Sequence, residues 1–111
     1  MIKLETIGEV IASRKLMLAA ADGTNSEITV LIGRPERMPD SDDYYCPIQL
    51  RGLGDQKVRY AGGADAIQAL QLAMQLIGIE LYVKHADIVK QLTWEENSEL
   101  GFPLPSVSSG T

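Results

Sequence analysis

The first half of the chain alternates. In Glu27-Ile28-Thr29-Val30-Leu31-Ile32, the residues Ile28, Val30 and Ile32 occupy every second position, the repeat of a strand with one face buried. Val10 to Leu18 has the composition of a strand, although it also tolerates a helical reading. Ala21-Asp22-Gly23-Thr24 separates the two with Asp-Gly at its centre, so the pattern predicts a β-hairpin. Gly33 to Asp43 carries Pro35, Pro39 and the acidic group Asp40-Ser41-Asp42-Asp43, and is expected to be a loop. Tyr44 to Arg51 returns to strand character. Pro47 cannot donate a ladder hydrogen bond, which places this strand at a sheet edge or at a bulge. After the turn Gly52-Leu53-Gly54-Asp55, Lys57 to Ala61 is expected to pair back as a fourth strand.

At Gly62-Gly63 the period changes. Ile67, Leu70, Met74, Ile77 and Leu81 step by 3, 4, 3 and 4, one stripe of a helix over residues 64–82. Asp65 stands where that helix begins, as a cap or as a charge complementing the macrodipole. Gly78 inside it implies a bend or a close neighbour. The stripe is expected to cover the sheet, with Ala69 and Ala73 on its flanks and Leu72, Leu76 and Ile79 pointing elsewhere. Ala66, Ala69 and Ala73 are also small enough to bring helix and sheet close. Beyond Leu81 the pattern fades: 82–92 reads as more helix or a second short one, Phe102 as a pin back onto the core, and 105–111 as a loose tail. The expected fold is α+β, an antiparallel sheet of about four strands with one long helix packed on it, in a single domain over 1–104.

Composition is consistent with this picture and narrows the chemistry. A chain of 111 residues, 45% hydrophobic and 23% charged, can bury a core without disulfides or metal. Its net charge of −5 repels phosphate backbones and anionic membrane surfaces alike, and no run of cations exceeds Arg14–Lys15, so neither nucleic acid nor membrane is expected as a partner. The single cysteine, Cys46, points to a reducing compartment, and with no signal-peptide pattern the expected setting is the cytoplasm. No apolar stretch comes near the roughly 20 residues of a membrane span.

The motifs of catalysis fail in turn. Cys46 and His85 form the one thiol–imidazole combination, without any spacing signature, and Cys46 reads better as an inert buried thiol. Counted from Asp40, a calcium loop needs Gly at its sixth place and Glu at its twelfth, where Tyr45 and Arg51 stand. Gly52-Leu53-Gly54 lacks the third glycine of a dinucleotide fingerprint. Glu95 and Glu99, at i and i+4, read as a solvated face. No catalytic residue, cofactor or metal is expected.

Several short patterns resemble a family of small, uncharacterised bacterial proteins. They are Tyr45-Cys46-Pro47, Ala61-x-Gly63-x-Asp65-Ala66-x-Gln68-Ala69-Leu70, Ile77-Gly78, Thr93-Trp94 and Leu100-Gly101-Phe102-Pro103. The resemblance covers about half the chain. It implies a strand-rich first part followed by one long helix, in a bacterial cytoplasm, and supplies no activity. The expected function is a non-enzymatic interaction or accessory role, with a homodimer through helix 64–82 because residues 66–79 carry no charge. The alternative is a small-ligand binder or enzyme with a site near loops 34–45 and 94–103. Arg34, Arg37, Tyr44, Tyr45, Gln68 and Trp94 are the candidate contacts.

Overall fold

The computed structural model describes residues 2–104, and the alternating first half forms one antiparallel sheet. Its strands are β1 (Val10–Ala19), β2 (Asn25–Gly33), β3 (Glu36–Arg37), β4 (Tyr44–Arg51), β5 (Arg59–Gly63) and β6 (Leu92–Thr93). They run in the order β3-β4-β2-β1-β6, with β5 also on β4. The four long strands are those the hydrophobic pattern predicts; β3 and β6, two residues each, are too short to carry a period. The tail at 105–111 lies outside the described residues.

Register decides the buried face. Leu16 pairs with Ile28, Val30 with Leu50, Ile32 with Ile48, and Cys46 with Ala61, so one side of the sheet is mostly apolar; Arg14, opposite Val30, and Arg59, opposite Ile48, are the charged side chains on it. On the opposite side Leu31 meets Ile7 and Val58 in a small second cluster, with Leu4 of the N-terminal segment against it.

Of the two places expected for Pro47, a sheet edge or a bulge, the edge is overturned. β4 is interior: β5 lies along one side, and β2 and β3 share the other. Pairing on the shared side breaks, however, because β2 covers Ile48–Arg51 and β3 covers Tyr44–Tyr45. Pro47 falls in that break, where a missing N–H costs the ladder nothing.

Helix α1 (Ala66–Ile79) starts only two residues after β5. Asp65 caps it, accepting from the Gln68 N–H at 2.8 Å, and the Gln68 side chain accepts from the Ala64 N–H at 2.7 Å. The short corner pulls the first turn hard against the sheet. A Cβ on Gly63 would run into the backbone of Ala69, so only small side chains fit between helix and strand. This corrects the expected stripe. Ala69, Ala73, Ile77 and Leu81 are buried, whereas Ile67 is 68% exposed and Leu70 and Met74 are only half-buried.

The helix continues through a π turn at Glu80–Lys84. The whole run from Ala66 to Lys84 has 19 residues and, by length and composition, is long and apolar enough to cross a membrane. That corrects the statement that no stretch approaches such a length. A third of its apolar window is buried inside the protein. After the 3₁₀ turn Val89–Gln91 and β6, the C-terminal segment returns over the helix and buries Leu100 and Phe102. The carbonyl of Pro103 occupies the space where a Cβ on Gly78 would sit, so the glycine marks a close approach.

Candidate functional site

Arg37 lies in β3 and Arg34 just before it, and Tyr45 is the β4 residue paired with Glu36. The three line one half-open cleft of about 330 Å³ together with Ile7, Glu9 and Pro47. Its cations are already matched. Arg34 lies 3.6 Å from Glu9 and 3.8 Å from Glu36, and Arg37 donates to Asp42. Such exposed pairs contribute little stability, yet they leave the cleft electrically neutral. The Tyr45 ring meets Tyr60 edge-to-face at 5.8 Å.

The other candidate residues are elsewhere. Tyr44 belongs to the opposite face of the sheet and packs on the main core. Gln68 is engaged in the helix cap. Trp94 lies under the guanidinium of Arg14, 3.7 Å from its ring centre, and no residue of 94–103 lines the Arg34–Arg37–Tyr45 cleft. Arg14 also donates to the Leu100 carbonyl at 3.0 Å and faces Phe102 at 5.2 Å, so it clasps the C-terminal segment to β1.

Cys46 is fully buried in β4, and its thiol donates to the Gly33 carbonyl at 3.4 Å. Loss of solvation pushes its pKa up to about 11, the opposite of what a nucleophile needs. The Nδ1 of His85 sits 2.8 Å from the Glu80 carbonyl. Among the described residues no three His, Cys, Asp or Glu side chains gather as a metal site.

Sequence reasoning missed the most unusual charge in the molecule. Glu80, 2% exposed, is held between Arg59, 3.1 Å from Oε1, and Lys84, 2.8 Å from Oε2. Arg59 is itself braced by Asp55 at 3.1 Å. The Lys57 backbone N–H and then the Arg59 side chain hold the Asp55 carboxyl below its ordinary range. Placing the alanines toward the sheet was the signal needed, since Glu80 continues the Ala69–Ala73–Ile77 face and would then require a cation. This cluster ties β5 to the π turn and has no open approach for a substrate, because Glu80 itself is enclosed.

The helix surface away from the sheet is different in kind. Leu72, Leu76, Ile79 and Val83 follow one another at 4, 3 and 4 residues. Leu72 is 36%, Ile79 39% and Val83 58% exposed, and Leu76 is half-buried. The C-terminal segment passes on the Gly78 side and leaves these three in solvent.

A family model described as a domain of unknown function, DUF6968, matches residues 12–104. No curated protein and no solved structure matches.

Proposed function

The chain belongs to this DUF6968 family, and from that premise we propose a non-enzymatic interaction protein that self-associates through the outer face of its helix. The observation that carries the reading is the row Leu72–Leu76–Ile79–Val83 on a helix with no charged side chain between Ala66 and Ile79. A helix covering a sheet ordinarily shows water a charged stripe. Two copies of a chain with net charge −5 repel, and this uncharged face is where that repulsion is least. A two-fold axis near Leu76 sets Leu72 of one copy against Ile79 of the other, the self-complementary arrangement of a symmetric dimer. A further protein partner on the completed dimer, in a bacterial cytoplasm, belongs to the same reading, and the lone cysteine suits a reducing compartment.

The cleft of Arg34, Arg37 and Tyr45 supports the small-ligand alternative less well, because each arginine already has a carboxylate. Sedimentation equilibrium at tens of micromolar is the test. The expected mass is twice 12.1 kDa, and Leu72→Glu with Ile79→Glu returns it to the monomer with an unchanged circular dichroism spectrum. A wild-type protein that stays at 12.1 kDa across that range overturns the proposal.

A further inference from the structure

A second and larger cleft, of about 760 Å³, opens between the N-terminal segment and the β4–β5 connection. Its volume falls in the range of about 300–1,000 Å³ common to small-molecule sites. The walls are mostly apolar: Ile2 and Leu4 on one side, Val58 and Tyr60 on the other. Val58 is buried and belongs to the cluster with Ile7 and Leu31, so that wall is anchored to the sheet. Arg59, fixed by Asp55 and Glu80, anchors the strand next to it.

The charge of this lining runs against that of the whole chain. Lys3, Lys57 and Arg59 face a single carboxylate, Glu5, whereas the full sequence has 15 acidic and 10 basic residues. Arg59 is committed to Glu80 and Asp55. Among the described residues neither Lys3 nor Lys57 has a carboxylate within ion-pair distance, and Lys57 helps only from farther off to hold the Asp55 carboxyl down. An apolar trough lined by two lysines that have no close ion pair is complementary to a molecule with an apolar body and one negative end.

The geometry points to a binding site for a single-chain amphipathic carboxylate, a fatty acid of medium length, with the chain along Leu4, Val58 and Tyr60 and the carboxylate between Lys3 and Lys57. This site is independent of the helix face, since none of its lining residues lies on α1. A carboxylate there gains from both ammonium groups, whereas an uncharged head gains from neither and an ammonium head is repelled.

The test is calorimetric titration of the full chain with dodecanoate, dodecanol and dodecyltrimethylammonium, each below its micellar concentration. Dodecanoate is expected to bind at least tenfold more tightly than the other two. Lys3→Glu with Lys57→Glu is expected to weaken dodecanoate at least tenfold and to strengthen the ammonium amphiphile. Both substitutions are at exposed positions, so circular dichroism and the thermal midpoint should be unchanged. In amide spectra of the wild type, shifts should concentrate at residues 2–5 and 56–60. Absence of dodecanoate binding, equal affinity for all three amphiphiles, or shifts confined to residues 66–84 each overturns the assignment.

Discussion

Cys46 shows how one buried atom acquires a pH signature. Its pKa is near 9 in the unfolded chain and about 11 in the fold, so the thiol is neutral in both states below pH 9. Between pH 9 and 11 only the unfolded chain ionises, and stability falls as pH rises, by up to about 2 kcal/mol. Urea denaturation from pH 7 to pH 10.5 should therefore show a steeper alkaline loss for the wild type than for Cys46→Ala. At neutral pH, alkylation of the native protein should be at least about tenfold slower than that of an unfolded chain; an equal rate would show the thiol to be accessible. Gly78 poses the opposite question, since local propensity and packing disagree there. Alanine at a helix interior is worth about 1 kcal/mol over glycine, but the Pro103 carbonyl fills the methyl's place, and overpacking costs about 1–3 kcal/mol. Gly78→Ala is expected to destabilise, with faster amide exchange at 100–102. A stabilised variant would mean the C-terminal segment does not sit on the helix.

Among the elements, Glu80 is where the helix depends on the sheet. Replacing it by Gln leaves Arg59 and Lys84 facing a neutral amide. Both retain solvent or another carboxylate, so the expected cost is about 2 kcal/mol, below the usual 3–5 kcal/mol for a broken buried pair. Arg59→Met combined with Glu80→Leu should recover most of that, and a double-mutant cycle measures the coupling. A Glu80→Gln variant as stable as the wild type would reduce the pair to ornament. The same helix explains what the sequence revealed and what it hid. Strand periods at 27–32 and 44–51 and the switch at Gly62-Gly63 are local signals, and the elements follow from them. The helix face is not local. A stripe of large side chains fits the period as well as the alanine stripe does, and only the two-residue corner after β5 decides between them. Pro47 fails in the same way, because the break between β2 and β3 that accommodates it is a property of the partner strand. The candidate site was half legible. Arg34, Arg37 and Tyr45 do converge, but Tyr44 follows the strand's alternation to the other face. The larger cleft draws on Lys3, in a segment with no periodicity to read, and on Lys57, whose neighbourhood to the N-terminal segment no local pattern reveals.

At the scale of the whole molecule, Arg14 joins a strand of the hairpin to a carbonyl 86 residues later. Its charge stacks on Trp94 and faces Phe102, so Arg14→Ala should cost about 2–3 kcal/mol, the sum of a cation–π contact and a partly buried charged hydrogen bond. Lysine should restore little of it, because an ammonium cannot both stack and reach the carbonyl. Amide exchange at 92–102 is the measurement, and protection there that matches the wild type would place the clasp elsewhere. The clasp also sets an order of events during synthesis. The ribosome extends a chain at about 5–20 residues per second and releases its N-terminal part first. The hairpin, β4, β5 and α1 are therefore outside the exit tunnel while Leu100 and Phe102 are still inside it. In that interval the groove between Ala12, Val30, Ile32 and Met74 lacks the wall that Phe102 supplies, and Arg14 has nothing to grip. A chain ended before residue 100 therefore leaves this apolar groove without its Phe102 wall and the β1 arginine without its acceptor.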